Sequence, residues 1–248
     1  MHKIITIDGP CAAGKTTQAK LLAKELGYMY VDTGAMYRTI ALYIQKNAYD
    51  ISDIDNILAS IDMSIKNVDG EQRMFLEDED VTSQLRTAKI SVLASDISAI
   101  KQVRQYLLQV QRDFAEDHDI VMEGRDIGTV IFPDADVKFY LTADVETRAQ
   151  RRWTELFLMD VHSTMESTLA DIKQRDHNDS TRKDAPLRQA DDAILIDCSN
   201  MSIEETTHVM LEYIAQFASI TPKEALANLK QGLGAHSGEY GKSTVIHQ

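Results

Sequence analysis

The 248-residue chain holds 26 lysines and arginines against 39 aspartates and glutamates, a formal net charge of −13. That imbalance repels phosphate backbones and anionic lipid before contact, which argues against nucleic acid and membranes as partners. Its 44% hydrophobic and 26% charged residues suit a folded globular protein, long enough for one α/β domain with a small insertion. Cys11 and Cys198 are too few for a disulfide framework and lack zinc-site spacing, so a reducing, cytoplasmic compartment is expected. The apolar segment 4–7 is too short for a signal-peptide core or a membrane span.

In chain order, residues 3–7 are short, β-branched and apolar, a glycine-containing turn follows, and Lys15–Leu26 carries apolar residues at helical spacing. Strand, loop and helix are predicted. Residues 61–68 and 73–80 read as two strands joined by Asp69-Gly70, a pair suited to a type I′ turn, and so as a small antiparallel insertion. Residues 87–115 repeat apolar side chains at three- and four-residue intervals, from Ile90 and Leu93 to Val110 and Phe114, as one or two amphipathic helices do. Residues 119–122, 137–141 and 193–196 are short apolar runs beside helical stretches, which predicts a parallel sheet covered by helices on both faces. Residues 145–159 form a further predicted helix bearing Arg148, Arg151 and Arg152. Another begins within 167–175, and the turn between the two is the expected lid. From Ser219 onward the helical pattern fades after Leu229, and Gly232, Gly234, Gly238 and Gly241 predict a frayed tail.

Gly9-Pro10-Cys11-Ala12-Ala13-Gly14-Lys15-Thr16 fits G-x-x-x-x-G-K-[ST] between a predicted strand and a predicted helix. Backbone N–H groups of such a loop point at phosphate oxygens, and the helix dipole adds favourable potential. Lys15 is placed to bridge the β- and γ-phosphates of ATP, Thr16 to offer a hydroxyl to Mg²⁺, and Thr17 to support the first helical turn. A structural glycine turn is the competing reading. The loop marks a nucleotide site and leaves the reaction open, because GTPases, ATPases and small-molecule kinases share it.

Three further clusters bear on the reaction. Asp32-Thr33-Gly34-Ala35-Met36-Tyr37-Arg38 joins a hydroxyl, a glycine and an arginine soon after the first helix. Glu123-Gly124-Arg125-Asp126 follows a strong strand and so emerges at the same carboxyl edge as the loop. Arg175 through Arg182 follows the lid. Any one cluster alone reads more readily as a solvated surface ion pair than as a site. Together around one cradle they suit transfer between two phosphate-bearing molecules, where catalysis consists largely of positioning and charge neutralisation and arginine binds phosphate bidentately.

At these residues the sequence resembles the bacterial cytidylate kinases, over about residues 3–218. The most diagnostic stretch is GRDIGTVIFPDA, beginning at Gly124; the Asp32–Arg38 cluster, Glu77-Asp78-Glu79-Asp80-Val81 with Arg86, Arg148-Ala149-Gln150-Arg151-Arg152, and Ala185-Pro186-Leu187 match in the same order. The resemblance implies an α/β P-loop fold: a parallel sheet flanked by helices, with an inserted antiparallel and helical subdomain that binds the nucleoside monophosphate, and a short lid. The implied kinase domain covers residues 1–218, with core segments near 1–40 and 116–218, the insertion near 41–115 and the lid near 156–182. Residues 219–248 are then an extension without an assigned role.

The implied reaction is phosphoryl transfer from Mg-ATP to CMP or dCMP in a monomeric enzyme. Residues Gly9 to Thr17 would bind ATP. Ser95, Arg104 and Asp126 would face the cytosine, Arg38, Arg125 and Arg182 the acceptor phosphate, and Arg175 and Asp179 the pentose; Thr33 keeps the hydroxyl of a commonly seen serine. Lys15, Arg125 and Arg182 become the expected catalytic groups. The chain departs from the family at Cys11-Ala12, where Ser-Gly is usual, at Thr16, where glycine is usual, and at Asn178, where arginine is frequent. Other readings are a kinase for UMP or AMP, a nucleotide-hydrolysing switch and a degenerate homologue; no N-K-x-D guanine-selecting motif supports the switch.

Overall fold

The computed structural model describes residues 2–68, 71–159 and 161–217. The expected Asp69-Gly70 turn and the tail from Ser219 onward lie outside the described residues. Strand β1 (Ile4–Asp8) leads through the glycine loop into α1 (Lys15–Leu26), and β2 (Met29–Asp32) runs directly into α2 (Thr33–Asn47). A 3₁₀ turn and α3 (Ile54–Ser60) precede strands β3 (Met63–Val68), β4 (Glu71–Leu76) and β5 (Glu79–Asp80), followed by α4 (Ala88–Ile97) and α5 (Lys101–Phe114). The chain returns through β6 (Ile120–Gly124), a π-helical turn (Ile127–Ile131) and β7 (Val137–Thr142). It ends in the helical pair α6 (Val145–Leu158) and α7 (Met165–Thr181), then β8 (Ile194–Asp197) and α8 (Ile203–Phe217).

The main sheet has the order β2-β6-β1-β7-β8, and every pairing in it is parallel. Its central strands are buried on both faces, which is why they read as unbroken apolar runs rather than alternating ones. Asp8 lies opposite Gly124 on one side and Tyr140 on the other, so the loops leaving β1 and β6 emerge side by side at the carboxyl edge. In open parallel sheets that edge is where ligands bind.

The insertion is a three-stranded antiparallel meander, β3-β4-β5, followed by α4 and α5. The single strand expected over 73–80 is interrupted: Glu77 adopts φ 52°, the chain reverses, and Glu79 pairs back onto Leu76. The helical stretch 87–115 breaks at Ile100, whose backbone is extended, so two helices form. The insertion boundary expected near residue 41 falls inside α2, which continues without interruption to Asn47.

One apolar cluster, including Val31, Met36, Ile40, Met74, Ile97, Leu107 and Met122, joins the insertion to one face of the sheet. A second, including Ile5, Leu22, Val121, Phe139, Met210 and Ile214, packs α1 and α8 against the other face. No helix among the described residues is long and apolar enough to cross a membrane.

Candidate active site

The loop after β1 folds tightly because β7 presses on it. A Cβ on Gly9, whose φ is 150°, would lie 2.0 Å from the carbonyl oxygen of Leu141. Gly14, at φ 98°, is the N-cap of α1 and offers no side-chain cap, and residues 14–18 line the cleft. Ala12 holds φ 59° where the resembling family has glycine, a left-handed conformation that costs a residue with a Cβ about 1 kcal/mol. Lys15 is buried, and its Nζ donates to the carbonyl oxygen of Pro10 at 2.7 Å. Burial, and then the nearby Arg125, bring its pKa down to about 7, against the opposing pull of Glu123.

Glu123 is the penultimate residue of β6, beside this loop. It is buried, accepts from Tyr30 Oη at 2.7 Å and is hydrogen-bonded to the Thr16 hydroxyl. Burial raises its pKa, as does Asp32, while Lys15 opposes them. No group of three or more His, Cys, Asp or Glu among the described residues forms a metal centre. A hydroxyl and a carboxylate next to the cradle lysine instead fit a hard, largely hydrated Mg²⁺ that arrives with nucleotide phosphates.

The arginines face the same cleft, whose volume is about 570 Å³, within the range of small-molecule sites. Asp32 N-caps α2 by accepting from the Ala35 N–H at 3.0 Å, and its other carboxylate oxygen accepts from Arg38 Nη2 at 2.7 Å. Arg125 Nε donates to Asp179 Oδ2 at 2.8 Å. Arg104, on α5, hydrogen-bonds to Asp126, which also pairs with Arg182 at 3.5 Å. Burial lifts the Asp126 pKa above the usual carboxylate range although Arg104 and Arg182 oppose it. Arg175 and Asp179 sit four residues apart on one face of α7, and Arg182 caps that helix. The Nε–H groups of Arg38 and Arg175 are buried and have no partner among the described residues. Such orphaned donors are costly unless an acceptor meets them.

The loop carrying Arg125 and Asp126 is fixed from below. Asp8, at the end of β1, accepts from the N–H groups of Ile127 and Gly128 at 2.9 and 2.8 Å, pinning the first residues of the π-helical turn. Burial outweighs those two bonds and pushes the Asp8 pKa up to about 6.

Two arginines of α6 tie that helix to the cradle. Arg148 donates to Cys11 O at 3.1 Å and to Asp176 Oδ2 at 2.6 Å, while Asp176 Oδ1 accepts from the Cys11 N–H at 3.3 Å. Arg151 donates to Ala13 O at 3.3 Å and Cys198 O at 2.9 Å. Arg152 faces the cleft and pairs with Glu155 on its own helix. Burial would push the Cys11 thiol up, but Arg175, Arg125, Lys15 and Arg152 together bring its pKa below the ordinary value.

Of the residues expected from the sequence, Cys11 to Thr17 line the cleft on the cradle side, and Gly9 and Pro10 do not line it. Thr33, Arg38, Ser95 and Arg104 line it from α2 and the insertion; Arg125, Asp126, Arg175, Asp179 and Arg182 line the remaining wall. Sequence reasoning did not assign Glu123, Tyr37 or Arg86, which also face the cleft, nor the supporting Asp8 and Asp176. Glu123 carried a signal, a carboxylate near the end of the strand next to the glycine loop. Asp8 carried none, because its partners lie 119 and 120 residues away.

A glycine loop between strand and helix, opening into an arginine-lined cleft at the carboxyl edge of a parallel sheet, is the architecture of a P-loop phosphotransferase. The family model for cytidylate kinase matches residues 5–216. The cytidylate kinase of Caldicellulosiruptor bescii is 48% identical over 216 residues, covering 86% of this chain and 96% of that relative. That of Geobacter sulfurreducens is 44% identical over 222 residues, covering 88% and 95%. That of Lactobacillus johnsonii is 42% identical over 213 residues, covering 85% and 93%. The chain belongs to the cytidylate kinase family.

Proposed function

We propose that the protein transfers the γ-phosphoryl group of ATP to CMP or dCMP, giving ADP and CDP or dCDP. The observation that carries this reading is that the phosphate cradle and the arginines supplied by α2, α5, the loop after β6 and α7 open onto one cleft. A nucleotide-hydrolysing switch has no use for a second set of phosphate-sized cations. Family membership supports the choice of a nucleoside monophosphate as acceptor.

In this mechanism Gly9 to Thr17 hold ATP, with Lys15 against the β- and γ-phosphates. Arg38, Arg125 and Arg182 bind the acceptor phosphate, whose oxygens are ionised near neutral pH, so no side chain is needed as a base. Lys15, Arg125 and Arg182 neutralise the charge that spreads over the transferring group. The Asp126 carboxylate accepts from the exocyclic amine of cytosine, where uracil would present a second acceptor, and Ser95 and Arg104 complete the base pocket. Thr33 lies beside the acceptor phosphate, and Arg175 and Asp179 at the pentose. Mg²⁺, held through Thr16 with Glu123 nearby, would screen the ATP phosphates as a Lewis acid.

We assign residues 1–218 to one kinase domain, with the insertion closing on the monophosphate and residues 156–182 acting as lid. The enzyme acts as a monomer on small molecules in the cytoplasm, and neither nucleic acid nor membrane is a partner. Phosphorus NMR of ATP mixed with CMP and the protein tests the reading. Growth of the CDP resonances with those of ADP is expected; ADP and inorganic phosphate without CDP would overturn it.

A further inference from the structure

Strand β2 is an edge strand, so its outer N–H and C=O groups need partners from outside the sheet. At Asp32 both are met by one side chain. The Asp32 N–H donates to Gln72 Oε1 at 2.6 Å, and Gln72 Nε2 donates to Asp32 O at 3.2 Å. A primary amide carries the same donor and acceptor as a peptide group, so Gln72 adds one rung to the parallel sheet without a strand. It belongs to β4, within the insertion.

The residue so held organises the acceptor side of the cleft. The Asp32 carboxylate caps α2 and holds Arg38 at 2.7 Å, and the next residue, Thr33, donates its hydroxyl to Glu123 O at 2.7 Å. There is little slack: a Cβ on Gly34 would lie 2.9 Å from Arg38 Nη1. We propose that Gln72 is a positioning residue that couples the pose of the β3-β4-β5 sheet to the Asp32–Arg38 clamp for the acceptor phosphate. This rests on the assignment of Arg38 to that phosphate. Gln72 touches no reacting atom; it sets where Arg38 stands when the acceptor arrives.

The test compares steady-state kinetics of the wild type with Q72E, Q72M and R38A. Q72M keeps the side-chain length and apolar contacts while removing both hydrogen bonds to Asp32 and the third from Nε2 to Met74 Sδ. Q72E places a carboxylate oxygen against Asp32 O at neutral pH and regains a donor when protonated. Both Gln72 variants should raise KM for CMP by about 5- to 20-fold, the effect of one lost half-buried hydrogen-bonding pair, with KM for ATP within about twofold of wild type. For Q72E the ratio of its KM for CMP to that of wild type should fall as pH drops from 7 to 4, through the ordinary glutamate pKa of about 4.3, and for Q72M it should stay constant. An unchanged KM for CMP in both Gln72 variants while R38A raises it overturns the proposal. So does a parallel rise in KM for ATP, or a pH-independent Q72E ratio. An unchanged KM for CMP in R38A overturns instead the placement of the acceptor phosphate at Arg38.

Discussion

Arg125 donates its Nε–H to Oδ2 of Asp179 at 2.8 Å, and this pair joins the carboxyl end of β6 to the last turns of α7 across the cleft. Burial would raise the Asp179 pKa, but Arg125, Arg175 and Arg182 together outweigh it and hold the carboxyl below the ordinary value. A group whose folded pKa is depressed stabilises the protein above its unfolded pKa and loses that contribution as pH falls through the folded one. Asp179→Asn should therefore lower stability by about 1–2 kcal/mol at pH 7, a gap that persists to about pH 4 and closes below it. Denaturant unfolding of both proteins across that range measures the gap.

Arg38→Ala and Arg182→Ala each remove a charge-assisted contact assigned to the acceptor phosphate. Each should raise KM for CMP by about 10- to 100-fold and leave ATP affinity nearly unchanged. Equal losses toward both substrates, read by acceptor titration and direct ATP binding, would remove these arginines from the acceptor side.

Asp126 is the base-reading group in this account. Asp126→Asn keeps its shape and presents a donor, so it should narrow the preference for CMP over UMP by at least about tenfold in kcat/KM. An unchanged ratio would assign Asp126 solely to holding Arg104 and Arg182.

The Lys15 pKa of about 7 predicts that nucleotide binding is coupled to protonation. ATP brings negative charge beside Lys15 and raises that pKa, so binding at pH 7 should take up about half a proton, and more at higher pH. Affinity should accordingly fall as pH rises above 7, by up to about tenfold per unit. Calorimetry in buffers of different ionisation enthalpy reads the proton directly; buffer-independent heats would contradict the coupling.

The sequence carried the elements whose signal is local. Residues 4–8, 120–124 and 137–142 are recognisable because strands buried on both faces are mostly apolar, Thr6, Asp8, Glu123 and Lys138 being the buried exceptions, and α1 because its buried Ala19, Leu22 and Ala23 follow helical spacing. Strand β2 was missed because it has four residues, Met29–Asp32, of which Tyr30 and Asp32 are committed to Glu123 and Arg38. Helix α2 was hidden behind the clamp motif at its own N-terminus, although the cap Asp32 and the buried Met36, Ile40 and Ile44 carry its signature. The contacts that position the site were not legible at all. Asp8 on Ile127, Gln72 on Asp32 and Asp176 on Cys11 join residues 40 to 165 positions apart, and no local pattern encodes such pairs.

The central claim is that one cleft holds ATP and a cytosine monophosphate together. ADP formation from Mg-ATP, measured with CMP, dCMP, UMP, AMP or no acceptor, tests it most directly. Strong stimulation by CMP or dCMP, with little from UMP or AMP and none without acceptor, is the predicted result. Turnover that does not depend on an acceptor, or that UMP and AMP stimulate equally well, would contradict it.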